Sequence, residues 1–244
     1  MYAEFLIAFP PVLIFFLCLI QLSLVYVAKL SVQHASMRAA RATVVVLSDD
    51  PAEYDDEPVN VLDPDGTTSG TSSILPGFTA LGIVGLFGAS DAGSARLQSI
   101  RSAAFVPLIP ISPSMTWLGG RPSVARAFEA GPMRVATGSL YAKGATAVTF
   151  YGQPQGTDQI WRFQPRQSIT TRVTHLYYCP IPVANRILCD SLLPILLTSR
   201  PARAELLYTG APAFPAVFAI GGARFVLIRA ESTLPNQGAG YEYH

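Results

Sequence analysis

Residues 1–30 read MYAEFLIAFPPVLIFFLCLIQLSLVYVAKL. No charged side chain occurs from Phe5 to Ala28; Glu4 stands just before this run and Lys29 just after it. About 20 apolar residues in a helix cross the hydrocarbon core of a bilayer, so the stretch is long enough to span one. It lacks the layout of a secretory signal peptide, which begins basic, carries roughly 7–15 apolar residues and ends in a small-residue cleavage site. Here the start is acidic, the run is longer, and Ala40-Arg41-Ala42 lies well downstream. Pro10 and Pro11 lack the amide donor that a helix interior needs. They are expected in the first turn of a helix, or at a break between a short N-terminal turn and the main rod. From Pro11 to Leu30 a helix is about 30 Å long.

The helical pattern continues past membrane length to Leu47, now with a polar face. Val32, Ala35, Ala39, Ala42 and Val46 recur at spacings of three and four, while Lys29, Gln33, Arg38 and Arg41 fall mainly elsewhere. Ala35, Ala39 and Ala42 are small enough to let another helix or a sheet approach closely. Ser48-Asp49-Asp50-Pro51 ends the pattern, because proline disfavours helical geometry in the residue before it. The expectation is one rod of roughly 37 residues, apolar first and amphipathic later.

Outward from the rod, the charge is uneven. The 244 residues carry a net charge of only +1, and charged residues make up 14%, so nothing in the total points to nucleic acid. Yet eight of the sixteen acids lie between Asp49 and Asp65, and beyond Gly66 fourteen Lys and Arg face seven acids. The segment from Pro51 to Pro76 is rich in acid, Gly, Ser, Thr and Pro, a composition that cannot bury enough apolar surface to fold alone. Asp49, Asp50, Asp55, Asp56, Asp63 and Asp65 are oxygen ligands of the type calcium takes, but their spacing is not that of a calcium loop. A solvated loop, or one lying on basic neighbours, is the better reading, and no cofactor is expected.

The remaining chain divides into helical and strand signals. Gly82, Gly85 and Gly88 have the wrong spacing for a nucleotide fingerprint and read as close packing. Ser90-Asp91 can cap a helix reaching about Arg101, with Leu97, Ile100 and Ala104 on one face. VPLIPISPS (106–114) reads as extended chain, and Pro122 starts a short helix closed by Gly131-Pro132. From Met133 onward, MRVATGSLYA, GATAVTFYG, QSITTRVTHLYYCPIP, AELLYTG, AVFAIGG and ARFVLIRAEST read as strands. In the third, Ile169, Thr171, Val173 and His175 share one face, and Thr170, Arg172, Thr174 and Leu176 the other. Val183–Leu197 reads as a partly helical insertion, and STLPNQGAGYEYH as an irregular end. The fold class expected is α+β: residues 1–48 a long N-terminal helix, 49–76 an acidic flexible connector, and 77–244 a β-rich head with a few short helices.

Few residues carry reactive chemistry. Cys18 lies in the apolar run and reads as a buried small hydrophobe. Cys179 and Cys189 are expected to close into a disulfide if the head lies outside the cytoplasm; in the cytoplasm they would be two buried thiols. His34, His175 and His244 are isolated in sequence, and His175 reads as a structural strand residue. No GxSxG, HExxH, P-loop or paired-cysteine zinc pattern occurs, so no enzyme is expected. Glu4 has two readings. One is an acid at headgroup level that needs no partner. The other pairs it with a free N-terminal amine, on its own chain or a neighbour, because each charge alone is expensive to bury. Such a pair would set the axial register of helices packed side by side.

Glu4-Phe5, the apolar span with its early proline, and the stretch Ala35-Ser36-Met37-Arg38-Ala39-Ala40-Arg41-Ala42 resemble TadE-like pseudopilins of the tight-adherence pilus system. RAESTLP (229–235) is a weaker likeness to the way such proteins end. The resemblance implies a pilin-like structural subunit, with a leader removed by a prepilin peptidase so that Met1 is the processed end. It places the chain in the bacterial inner membrane first and in an extracellular, adhesive filament later. Its partners would be copies of itself or other pilins, with Met1, Glu4 and Phe5 setting assembly register. Lys29, Arg38 and Arg41 follow the span, so the positive-inside tendency alone would hold the head in the cytoplasm; a removed basic leader would reverse that. Two other readings remain: a minor pseudopilin that primes or tips the machine, and a monomeric membrane-anchored protein with an extracytoplasmic binding domain.

Overall fold

The computed structural model describes residues 2–64, 93–113, 138–139, 141–153, 160–191 and 223–236, without the side chains of residues 2–4 and 6. Met1, Asp65, Gly82–Gly88, Ser90-Asp91, the expected helix at Pro122, the strands expected at 204–210 and 216–222, and His244 lie outside the described residues.

The chain is α+β. Helix α1 runs from Tyr2 to Leu47. It starts earlier than expected and passes through both prolines, so neither marks its beginning nor a break. Pro10 and Pro11 leave the carbonyls of Leu6 and Ile7 without their usual intrahelical donors; hydrogen bonding on either side carries the helix through. Helix α2 (Ala95–Phe105) follows, capped by Ser94, whose Oγ accepts from the Leu97 amide at 3.3 Å. Leu97, Ile100 and Ala104 are its buried face, as their spacing indicates. The cap is Ser94, four residues later than expected. Val106–Ile111 is a 3₁₀ helix, not extended chain. Proline's fixed φ serves both geometries, and here the Ser112 amide and hydroxyl close the turn on Ile109 and Leu108 carbonyls.

Four strands form the main sheet, in the order β2-β4-β6-β5, all neighbours antiparallel. They are β2 (Thr146–Phe150), β4 (Ser168–Tyr178), β5 (Asp190–Ser191) and β6 (Arg224–Pro235). Two-residue strands β1 (Val61–Leu62) and β3 (Trp161–Arg162) make a second ladder. Tyr141 and Ala142, expected in a strand, lie in a helical turn. The Ala145 amide closes this turn on the Tyr141 carbonyl at 2.8 Å, and the Tyr141 hydroxyl donates to the Leu176 carbonyl at 2.7 Å. Between Cys179 and Cys189 lies the short helix α3 (Ala184–Leu188).

The alternation in β4 follows the sheet's two faces at its start. Ile169, Thr171, Val173 and His175 are buried toward α1, and Thr43 Oγ1 lies 3.5 Å from Thr171 Oγ1. On the other face Arg172 pairs with Glu231 at 2.7 Å and Thr170 with Thr233 at 2.8 Å. From Thr174 to Tyr177 both faces are buried.

The C-terminal half of α1 is the centre of the head. Ala28, Val32, Ala35, Ala39 and Val46 are buried at helical spacing and join one core with Val173, Ile228 and Ala230 of the sheet and Leu97 and Ile100 of α2. The end of α1 is then locked. Its last carbonyls have no helical donors of their own; Ser48 serves Val44 O and Val45 O, and the Asp49 amide reaches Val46 O at 3.4 Å. The Asn60 amide donates to Leu47 O at 2.9 Å. Arg96 of α2, completely buried, donates to Val46 O, to Asp49 O at 3.1 Å and to Glu57 O at 3.2 Å, and its guanidinium lies 4.6 Å from the Tyr54 ring centre. A cation suits this place because the carbonyl end of a helix is partly negative.

Residues 49–64 are therefore not a loose tether. Asp50 caps a 3₁₀ turn at Pro51–Glu53; Glu57 Oε1 accepts from the first amide of α2 at 2.8 Å; Leu62 is buried in the core. The acidic composition is absorbed by helix ends and by Arg96, not by solvent alone. Replacing Arg96 with Ala is expected to destabilise the head by about 3 kcal/mol, because it strips donors from three carbonyls and leaves Glu57 beside a cavity. Thermal unfolding followed by circular dichroism measures this; Arg96→Lys should recover only part of the loss, since an ammonium cannot reach three acceptors in a planar fork.

Candidate functional site

Helix α1 has two halves with different surroundings. From Phe5 to Ile20 none of its described side chains is buried, and Phe9, Val12, Phe15, Phe16 and Leu19 are exposed. Phe5 stacks on Phe9 with ring centres 5.3 Å apart. Apolar aromatic surface of this extent on a water-facing helix marks a membrane or protein contact. α1 is also long and apolar enough to cross a membrane. From Gln21 onward, one face of the rod is covered by the head.

Gln21 is the junction. It is the only amide side chain between Phe5 and Ala28, and it is completely buried. Its Oε1 accepts from the Ile181 amide, just after β4, at 3.2 Å. At the other end of β4, Thr171 meets Thr43. Gln21 to Thr43 along a helix is about 33 Å, and Thr171 to Ile181 along an extended chain is about 33 Å as well. β4 thus runs antiparallel to α1, and the chain just after it reaches Gln21; among the described residues, the loop 179–189 lies at the end of the head nearest the exposed half of the rod.

Each residue singled out from the sequence has a place here. Glu4 lies in α1 by its backbone, beside the exposed Phe5. Ala35 and Ala39 are buried in the chain's own core, with Ala42 packed partly against it. Their small-residue face holds the chain's own sheet and α2, so it is not free to receive another helix. Cys179 and Cys189 are bonded, with S–S 2.01 Å and Cα atoms 6.7 Å apart. Asp49 accepts from the Tyr54 hydroxyl at 3.2 Å and from the Asp50 amide. Asp50 caps its turn, and Asp55 and Asp56 occupy left-handed turn positions. Among the described residues no three His, Cys, Asp or Glu side chains come together as a metal set. The acids' basic complement is at least partly within the same chain, in Arg96.

His175 is fully enclosed. Its Nδ1 lies 2.9 Å from Thr146 Oγ1, and its ring meets Tyr141 edge-on at 6.1 Å. Burial pushes its pKa down to about 3 and the Tyr141 hydroxyl well above its ordinary value, so both stay neutral in the folded protein. This is a core histidine, as its isolation in the sequence indicates.

Residues 2–41 match the TadE-like protein family. The match takes in the whole free half of α1 and the clasped stretch through Ala39, and leaves the head outside it. No curated protein and no solved structure matches the chain. The TadE-like segment is thus a rod whose first half is bare and whose second half organises the head.

Two residues that matter to this geometry, Gln21 and Arg96, are not among those that the sequence singles out. For Gln21 the available signal is its position amid apolar neighbours, where an amide needs a partner; for Arg96 no local pattern marks it among the charges of its helix. Gln21→Leu is expected to weaken the Ile181 end of the clasp by about 1 kcal/mol, seen as faster hydrogen exchange at the Ile181 amide with little change near Thr171. Acid should act through His175. Its folded-state pKa lies below that of the unfolded chain, so the unfolded chain takes up the proton first as pH falls below about 6.5. Stability then drops by roughly 1.4 kcal/mol per pH unit down to about pH 3. Melting temperatures at pH 7 and pH 5 measure this, and His175→Asn should flatten the difference.

Proposed function

We propose that this chain is a pilin-like structural subunit that assembles through the free half of α1 into an extracellular filament. The observation that carries this reading is the bare apolar helix from Phe5 to Ile20, projecting from a folded head on a TadE-like segment. In the bacterial inner membrane, lipid covers that surface. In the filament, the same surface packs against neighbouring helices, of this chain or of other pilins, as in a helix bundle. Repeated head-to-tail contacts that do not close produce an open helical polymer. A prepilin peptidase would release the N-terminus, whose amine pairs with Glu4 to set the axial register. The assembly interface lies on the free half of the rod and not on Ala35, Ala39 and Ala42, which the head already covers. The reading requires no catalytic centre, no cofactor and no nucleic acid.

Electron microscopy of sheared surface material, with mass spectrometry of the subunit's N-terminus, tests this. Abundant fibres whose subunit has a processed N-terminus just ahead of Glu4 are expected. Trace amounts at fibre ends would point to a priming or tip subunit instead, and a longer, unprocessed chain confined to membranes would sink the filament reading. Glu4→Ala is expected to leave membrane insertion intact and abolish fibres; normal fibres from that variant would remove the register argument.

A further inference from the structure

Among the described residues of the head, the loop closed by Cys179–Cys189 lies at the end nearest the exposed half of α1, and its outward side chains are unlike those of a water-facing loop. Val183 is 46% exposed, Ile187 60% and Leu188 40%, with Arg186 exposed among them. Val183 also sits at the centre of a γ-turn, with φ 70° and ψ −57° and the Ala184 amide donating to the Pro182 carbonyl at 2.9 Å, a rare and strained geometry, and more so for a β-branched residue. An apolar side chain is kept at this corner despite the strain. The height of the loop is set by Gln21, which receives the Ile181 amide. The helix below it, Tyr2–Ile20, is about 28 Å long, close to the roughly 30 Å of a bilayer's hydrocarbon core. With that segment inserted, the loop falls at the boundary between acyl chains and headgroups. Exposed aliphatic side chains beside a basic one are what an interfacial segment carries there.

We propose that the 179–189 loop is a membrane foot: Val183, Ile187 and Leu188 enter the interface of the bilayer that α1 crosses, while Arg186 meets anionic lipid headgroups. The occupant is lipid, because the apolar side chains continue the exposed apolar surface of the inserted helix at the level where the bilayer ends. The foot fixes the tilt of the head before assembly and must leave the lipid when the subunit is extracted. The proposal rests on α1 being membrane-inserted, as proposed above.

The test uses the full chain with Cys18→Ser, its disulfide intact, in vesicles of phosphatidylcholine with a minority of phosphatidylglycerol. Nitroxide labels are placed singly through Val12→Cys, Val183→Cys, Ile187→Cys and Tyr151→Cys. Tyr151 is 73% exposed, and its amide bonds to Thr170 at the far end of β4, so it serves as the aqueous control. Collision with oxygen relative to a water-soluble nickel chelate reports depth. The expected order is Val12 in the hydrocarbon, Val183 and Ile187 at the interface with oxygen-to-nickel ratios several-fold above that of Tyr151, and Tyr151 in water. If Val12 is deep but both loop labels match Tyr151, the foot is rejected and insertion stands. If Val12 itself is aqueous, insertion fails and the foot falls with it. Protection of the loop labels that appears only at high protein density in the membrane overturns the lipid assignment in favour of contact between copies.

Discussion

Ala35 and Ala39 carry nothing beyond Cβ, and their burial against the sheet and α2 determines how the molecule is put together. With Ala28 and Val32 they form a shallow stripe on α1 that larger side chains would fill. Strands β4 and β6 lie along it, pairing over the full length of β4, and Thr43 and Gln21 register its two ends through Thr171 and Ile181. Among the described residues, burial on the rod begins at Gln21, where the chain just after β4 meets it. Among the described residues before Gln21 no side chain is buried, and Ile14, Leu17 and Cys18 are partly covered. The same packing that stabilises the head thus defines how much rod remains for membrane or neighbours.

The upper end of the rod depends on charge rather than shape. A helix end presents carbonyls with no internal donors; here Ser48 and Asp49 serve some of them locally, Asn60 reaches Leu47 O, and Arg96 adds a donor to Val46 O from 50 residues along the chain. Asn60 suits this task because its backbone sits in the left-handed region, at φ 59°, which Asn tolerates. Its side chain also accepts from Asn236 at the end of β6, at 3.0 Å. Rod, acidic segment, α2 and sheet therefore converge on one corner. Glu57 serves that corner twice, accepting from the first amide of α2 and standing 4.0 Å from Arg96. The concentration of acids after Leu47 makes sense as the counterpart of helix ends, and only in part as a solvated surface.

Much of the fold was legible where periodicity is long. The 3.6-residue recurrence in α1, the spacing of Leu97, Ile100 and Ala104, and the two-residue alternation at Ile169–Val173 all reflect a face that must be buried, and burial is what the pattern encodes. Short proline-bearing and small-residue segments were not legible. Val106–Ile111 and the turn at Tyr141 have local preferences that two conformations satisfy, and tertiary hydrogen bonds chose between them. At the candidate site, the exposed aromatic helix was readable from length and composition. The clasp at Gln21 was not, because the partner is a backbone amide 160 positions away that no local pattern names.

By itself the sequence determined that an apolar rod begins the chain, that it turns amphipathic toward Leu47, and that strands follow, because hydrophobic period and length are local properties. It also determined that Cys179 and Cys189 are close enough in the chain to bond. Only the tertiary structure decided that the alanine stripe is used by the chain's own head, that Gln21 receives the chain just after β4, and that a buried arginine closes the helix. Each of these is a choice among equally compatible partners, and which one a surface meets is settled by the packing of distant segments, not by the surface itself.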